Sequence, residues 1–470
     1  KMLAIICVLI TAVASKVFVY SPEDLRKDFR SKYGQNPIPS SLANFGNPPY
    51  GSVITGRVFA PNKEDEKRGC GPLTPISWEG DPDQYNSPIL LLERGGCGFV
   101  TKIRNAQNIG ASAVLIVDHT SEDVTKIVMI DDGTAGNVFI PSILIGKDDG
   151  ALIRNKVMET MGINDRNHNV ALTFTFEMPH PDNTVEYDIW MSSENNLVRS
   201  FLHDFAPFAK KFEENMVTLT PHYVLWYCST CKVKNWMEGH PDCVSGGRYC
   251  APDPDYDGPR TGREIVLEDL RQLCIYQLAE EKHNQKIWWN YVKTFNETCS
   301  NNKFKESCAV DAMKEAKIDV DYVENCMEKS FEGSNHNLEL DDNKILRKEK
   351  ESLLQSGIFF YPTIYINNQT FRGDLEATEM MTAICAGFKE EPKVCIDFRL
   401  NREDDPTPTQ TGIGVSTLVM IIIFSAVVLG VILFFYRRWI KRELNYEMKM
   451  QVNSAVSQYI ALSDQSTARD

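Results

Sequence analysis

Histidine is scarce in this chain: eight residues among 470, each standing alone. No His-Glu-x-x-His occurs, which excludes the helical zinc-peptidase site, and no Gly-x-Ser-x-Gly occurs, which removes the serine-hydrolase elbow. Positive charge is also short, with 50 Lys and Arg against 64 Asp and Glu. A formal charge of −14 argues against a nucleic-acid surface and weakly favours basic partners. Cysteine is missing from everything after Cys395, and histidine from everything after His336. Residues 437–470 therefore lack the ligands for a zinc module of the kind found in membrane ubiquitin ligases.

Long apolar runs are present at both ends. "KMLAIICVLITAVASK" reads as a secretory signal peptide over residues 1–15, cut after Ala14. "IGVSTLVMIIIFSAVVLGVILFFY", Ile413 to Tyr436, runs 24 residues without a charge, long enough as a helix to cross a bilayer. "RRWIKR" follows at once, and such charges hold their side in the cytosol. The expectation is a single-pass type I membrane protein with a transmembrane helix at 413–436 and a short cytosolic tail at 437–470. Twelve of the 13 cysteines lie between the two runs, an even number on the oxidising side, and read as disulfides. Two sequons on that side, at Asn296 and Asn368, are expected glycosylation sites.

The region between the runs divides in two. Residues 16–182 carry short apolar runs separated by turn residues, such as "GSVITGRVFA", "PILLLERGGCGF" and "SAVLIVDH", with one clear amphipathic segment, "VTKIRNAQNIGA". That pattern predicts a mainly β domain with one or two helices. Cys70 and Cys97 are its only cysteines, and joining them would stabilise it by ~3 to 4 kcal/mol on the chain-entropy model. Residues 183–396 hold Cys228, Cys231, Cys243, Cys250, Cys274, Cys299, Cys308, Cys326, Cys385 and Cys395. There "VEYDIWMS" alternates as a strand, "VRSFLHDFAPFAKKFEE" has helical spacing, and "TPHYVLWYC" reads as a second strand. A cysteine-rich helical stretch follows, then "GIFFYPTIYINNQTFRG" as two strands around a turn, and "LEATEMMTAICAGF" as a closing helix. That order is thioredoxin-like α/β, with Tyr361-Pro362-Thr363 where the fold usually has a cis-proline. Residues 397–412 form a short polar stalk. The whole is a multidomain α+β and α/β chain.

"LLERGGCGFVTKIRNAQNIGASAVLIVDH" with the later "NVFIPSILIGKDDGALI" resembles the protease-associated domain, through an Arg-Gly-x-Cys-x-Phe turn, a Lys, an Ala-Gln pair and an Ile-Pro-Ser. Together with "GRYCAPDPD", "VLEDLRQLC", "WWNYV" and "PTIYINNQTFRG", ahead of one membrane span, it resembles the vacuolar sorting receptors of plants and protists. Plant members place epidermal-growth-factor-like repeats before the membrane, where only Asp397 to Gly412 stands here. Calcium-dependent behaviour tied to those repeats is not carried over. The resemblance implies a cargo-binding edge made by the Arg94, Gly95, Gly96, Gly98 and Phe99 turn and the loop bearing Met129, Asp131 and Asp132. The glycines at 95, 96 and 98 are expected to take positive φ, and Arg94 to offer a forked donor. Gly96 and Gly98 replace acidic and aromatic residues of the plant receptors, so the recognised motif is expected to differ.

"YVLWYCSTCKVK" poses the competing reading, since Cys228-x-x-Cys231 has the spacing of a redox motif. A thioredoxin dithiol caps the first helix directly after the first strand, where the helix terminus stabilises the thiolate. Here that place is "MSSENNLVRS", Met191 to Ser200, without cysteine. Cys228 and Cys231 follow the second strand and are expected to bridge to other cysteines. A zinc site from Cys228, Cys231, Cys243 and Cys250 is set aside because the compartment oxidises. No cofactor and no metal are expected.

In the tail, Tyr459-Ile460-Ala461-Leu462 has the tyrosine-plus-aliphatic pattern that a clathrin adaptor holds in two pockets. Leu444, Met448, Val452, Val456 and Tyr459 also share one helical stripe. The resulting expectation is a non-enzymatic receptor that binds soluble cargo proteins in the Golgi or endosomal lumen for delivery to vacuole, lysosome or secretory granule. The alternatives are a structural or adhesive surface glycoprotein at the plasma membrane, and third, a disulfide oxidoreductase.

Overall fold

A computed structural model describes residues 15–75, 87–161, 168–228, 242–251, 261–299, 304–358 and 361–403, with 429, 430, 433, 434, 436 and 437. The expected signal peptide, nearly all of the expected membrane span, and Tyr459 and Leu462 of the tail lie outside the described residues. Among the described residues, no helix is long and apolar enough to cross a membrane. The chain up to Asp397 belongs to one compact unit and the chain from Phe398 to another.

The first part of the large unit is built on a mixed seven-stranded sheet. In chain order its elements are β1 (Lys16–Ser21), α1 (Glu23–Tyr33), β2 (Ser40–Leu42), β3 (Val53–Phe59), β4 (Ile89–Glu93), α2 (Phe99–Asn108), β5 (Ala113–Val117), β6 (Ser142–Ile145), α3 (Lys147–Glu159) and β7 (Ala171–Thr175). The strands lie in the order β1-β7-β3-β4-β5-β6-β2, with β3, β4, β5 and β6 parallel. This corrects the expectation of a mainly β domain with one or two helices, because three helices accompany the sheet. The signal lay in the strands: β5 is buried at all five positions and β4 at its first four, which is how parallel strands covered on both faces read. Leu90, Leu92, Val100, Ile103, Val114, Ile116 and Leu144 form the core between sheet and α2.

The second part follows the thioredoxin-like order. β8 (Val185–Met191), α4 (Asn196–Ala209) and β9 (Val217–Tyr223) lead, and β12 (Thr363–Ile366), β13 (Gln369–Thr370), α10 (Ala377–Ala386) and α11 (Lys393–Glu403) close it. Between them are β10 (Cys243–Val244), β11 (Tyr249–Cys250), α5 (Gly262–Glu281), α6 (Lys286–Cys299), α7 (Glu306–Glu315), α8 (Val320–Ser330) and α9 (Lys344–Ser356). The sheet runs β13-β12-β8-β9, with β8 and β9 parallel and β12 antiparallel to β8. Tyr361-Pro362 is cis, as is Ser21-Pro22. The second strand starts earlier and ends earlier than its sequence suggests. Its parallel register with β8 runs from Val217 to Tyr223, after which Trp226 leaves to bond with Cys250. The outer edge of β9 is covered by side chains: the Leu219 N–H meets Gln285 at 3.1 Å, the Leu219 carbonyl takes Tyr276 at 2.8 Å, and the Tyr223 N–H meets Glu349 at 3.2 Å. An edge satisfied in that way offers no template to another strand.

Disulfides join Cys70 to Cys97, Cys243 to Cys250, Cys274 to Cys326, Cys299 to Cys308 and Cys385 to Cys395. Cys228 is itself disulfide-bonded, but these ten cysteines pair among themselves. The expected bridge from Cys228 to another of them is therefore not formed, and Cys231 lies outside the described residues.

Candidate functional site

The Arg94–Phe99 turn carries the chain from β4 into α2. Arg94 N–H bonds to the Val117 carbonyl at 2.9 Å, fixing the turn to the end of β5. Its guanidinium reaches buried Asp118 at 3.0 Å and lies 5.9 Å from the centre of the Phe99 ring. Burial pushes the Asp118 carboxyl up, but hydrogen bonds from Thr120, His119 and Arg94 outweigh that and hold it below the usual range. The expected free fork is thus largely spent inside the protein. Gly95 and Gly96 have φ of 103° and 82°, values that favour glycine. A Cβ at Gly96 would lie 3.1 Å from the Cys70 sulfur and 3.2 Å from Arg68 Cδ. Gly98 departs from the expectation of positive φ: it is the N-cap of α2 at −60°. Its small size matters because a Cβ there would meet Asp132 Oδ2 at 3.0 Å.

That contact joins the two segments expected at the site. Asp131 Oδ1 accepts from Gly133 N–H at 2.9 Å and Ala135 N–H at 3.0 Å, while Asp131 N–H donates to Asn44 Oδ1 at 2.9 Å. Asp132 Oδ1 accepts from the Thr134 N–H at 3.1 Å and from its hydroxyl. Those bonds hold the Asp132 carboxyl below its ordinary range. Both carboxylates build the loop and leave its outer face open. Met129 corrects the sequence reading, for it is 0% exposed and packs in the core beneath the loop. Its neighbour Ile130, 55% exposed, presents the apolar surface instead.

In the sequence Lys102 stands only as one letter of the motif. It is fully buried, and its ammonium donates to the Arg68 carbonyl at 2.5 Å and the Gly95 carbonyl at 2.6 Å, with the Cys70 sulfur at 3.5 Å. Burial and the nearby Arg68 charge push its pKa down to about 8 against the pull of Glu93. Lys102 thereby clamps the disulfide loop to the glycine turn. Further along α2, Gln107 donates to the Asn137 carbonyl at 2.8 Å and accepts from Phe139 N–H at 2.7 Å. Arg104 donates to the Thr134 carbonyl. Arg68, exposed beside Gly96, was also missed, although the basic pair ahead of Cys70 in "EKRGCG" was its signal. The exposed groups along these two segments are Arg68, beside Gly96, and Ile130, beside the Asp131–Gly133 turn.

The equivalent place in the second domain is tied to its own core just before the helix begins. Between β8 and α4, Asn195 caps the helix by accepting from Val198 N–H at 3.2 Å. Ser193 N–H donates to the fully buried Asp269 at 3.0 Å. Burial pushes the Asp269 carboxyl up to about 8 against the Ser193 bonds, with Glu268 and Glu194 adding to the rise. No thiol stands at this helix start, and Cys228 follows β9 instead. The two sequons differ as well. Asn368 is exposed on the turn between β12 and β13, whereas Asn296 sits in α6 with its amide donated to the Arg199 carbonyl at 3.1 Å.

Residues 185–385 match the model of the vacuolar sorting receptor thioredoxin-like domain, and residues 54–153 match the PA domain. Vacuolar-sorting receptor 1 of Pisum sativum is 34% identical over 379 residues, 76% of this chain and 58% of that protein. Vacuolar-sorting receptor 7 of Arabidopsis thaliana is 32% identical over 410 residues, 83% of this chain and 61% of that one. The chain thus spans about three-fifths of the length of these relatives. Among solved structures, reduced DsbA from Mycobacterium tuberculosis aligns with 48% of this chain and 94% of its own, at 10% identity and a TM-score of 0.30. That likeness is too loose to carry an argument.

Proposed function

The chain belongs to the vacuolar sorting receptor family, and from that premise we propose that it is a cargo receptor of the Golgi and endosomal pathway. Soluble proteins bind the first domain, and the tail couples them to clathrin adaptors from the far side of a single type I span at 413–436. The observation that carries the reading is the meeting of the glycine turn and the Asp131–Gly133 loop at Gly98 and Asp132. Arg68 is exposed beside the glycine turn and Ile130 beside the loop, a charged and an apolar group suited to an extended peptide. The thiol-free start of α4, with Ser193 tied to buried Asp269 just before it, supports a scaffold role for the second domain. The domain borders near 182 and 396 and the glycan at Asn368 belong to the same proposal.

The test is retention of soluble proteins from a Golgi and endosomal lumenal fraction by the full chain in detergent micelles, between pH 4 and 7.5. Specific retention that falls with Ile130→Asp is the expected result. If nothing is retained at any pH, an adhesive or structural glycoprotein is the better reading. In cells, Tyr459→Ala and Leu462→Ser are expected to move the protein toward the surface. An unchanged distribution in both would remove the adaptor from the proposal.

A further inference from the structure

The two domains meet through reciprocal bonds between the segment after β2 and the turn after β13. Gly46 N–H donates to Asp374 Oδ1 at 3.1 Å and Asp374 N–H returns to the Gly46 carbonyl at 3.0 Å. Tyr50 hydroxyl donates to the Arg372 carbonyl at 2.8 Å and accepts from Arg372 N–H at 2.9 Å. Gly373 lies between them with φ of 115°, and a Cβ there would strike Pro48 Cδ at 2.7 Å. The Asn47 amide, turned to donate, reaches Asp374 Oδ2 at 3.2 Å.

The same segment holds the loop of the proposed site. Asn44 N–H donates to the Met129 carbonyl at 3.1 Å and Asn44 Oδ1 takes the Asp131 N–H, so one residue clips both sides of Ile130. Asn47 N–H adds a bond to the Phe139 carbonyl at 3.1 Å. Three acids act on Asp374: Glu376 on its own turn, Glu379 on α10 and Asp131 across the junction, with Arg372 two residues before it. Burial and these three acids push its pKa up to about 7, against the bond from Gly46.

We propose that the Gly46–Tyr50 segment and the Arg372–Asp374 turn form a proton-operated latch, which closes the domains on one another in acid and stiffens the 129–135 loop as it closes. Protonated Asp374 keeps its bond from Gly46 N–H, and its new O–H faces the Asn47 amide, which rotates to accept it. Ionised Asp374 places a half-buried charge near three acids. The sign follows. An open junction returns the carboxyl toward its ordinary value of 3.8, so the closed form holds the extra proton between about pH 4 and 7. Closure strengthens as pH falls through that window, by at most about tenfold per pH unit. The bonds of the latch, between Gly46–Tyr50 and Arg372–Asp374, are read by exchange without cargo, so it stands or falls apart from the receptor reading.

Hydrogen exchange of the full chain in micelles, corrected for intrinsic rates between pH 4.5 and 7.5, tests it. Protection of residues 44–51 and 371–376 is expected to rise at least tenfold toward acid in the wild type, with 129–135 following. Asp374→Asn, which mimics the protonated form, is expected to be well protected and flat with pH. Tyr50→Phe, which removes the hydroxyl bonds and keeps the acid, is expected to lose protection evenly while retaining the slope. A flat wild-type profile, or a slope that persists in Asp374→Asn, would overturn the latch. A slope at the junction that is absent at 129–135 would overturn the coupling.

Discussion

Helices α2 and α4 each start just after a strand of their own domain, and each leaves backbone N–H groups to be satisfied. At α4 the problem is solved inward: Asn195 caps the helix, and Ser193 bonds to an acid that no solvent reaches. At α2 it is left outward, since Gly98 brings no side-chain cap and the nearest carboxylate, Asp132, belongs to an exposed loop. The cation of the first domain, Lys102, is spent on backbone carbonyls under the turn, and the acid of the second, Asp269, on a backbone N–H. A buried titratable group in each domain therefore serves architecture. Only the first domain uses it to hold a surface open.

Removing the cation should break the comparison most severely. Lys102→Met strips donors from the buried Arg68 and Gly95 carbonyls, and each unsatisfied group costs about 1 to 3 kcal/mol. The expected result is a loss of about 2 to 4 kcal/mol by chemical denaturation of the chain, with Arg68 and the glycine turn released. The wild type should also gain stability as pH rises from about 8 toward 10.5, because the folded lysine binds its proton more weakly than the unfolded one. The variant should lose that gain.

Asp269→Asn tests the inward solution. Its folded pKa of about 8 lies above the ordinary value of 3.8, so the folded form holds the extra proton between those limits. Stability should decline as pH rises through that window, by at most about 1.4 kcal/mol per unit. The part above pH 7 belongs to Asp269 and not to Asp374, and should vanish in Asp269→Asn. The variant should cost about 1 kcal/mol in acid, where its amide leaves an N–H unpaired.

Much of this was legible in the sequence, and the gaps have physical causes. The strand runs, the amphipathic α2 and the thioredoxin-like order were read from periodicity, and the missing cysteines at Met191 to Ser200 foretold the thiol-free α4. Helix α1 escaped because only Leu25 and Phe29 of its eleven residues are buried, too narrow a stripe to stand out. Lys102 escaped because its partners are carbonyls of residues 68 and 95, and no side-chain pattern encodes a backbone acceptor. Met129 was taken for a surface residue because a loop hides which of two apolar neighbours turns inward. Register with the core decided for Met129, leaving Ile130 outside.

The sequons give a smaller contrast within the second domain. Asn368→Gln should remove one glycan on a gel, since its turn is exposed. Asn296→Gln should leave the glycan pattern unchanged and cost about 1 kcal/mol by losing the bond to Arg199. A mass loss with Asn296→Gln instead would mean that the sequon is modified before α6 packs.

The smallest effect on stability should come from the residue that matters most to the open surface. Ile130 is flanked by a buried methionine and by an aspartate that caps the next turn through its own backbone partners. Its side chain contributes little to either, so Ile130→Asp should change stability by no more than about 0.5 kcal/mol. Binding is another matter, for an apolar group at the centre of a contact excludes water and its loss typically costs more than about 1 kcal/mol. Against a protein retained by the wild type, biolayer interferometry should show affinity lower by about tenfold or more. Arg94→Ala should behave differently, losing stability together with binding, because it strips a guanidinium from buried Asp118. If Ile130→Asp binds as the wild type does while Arg94→Ala loses only stability, the outward face of α2 is not the one that meets cargo.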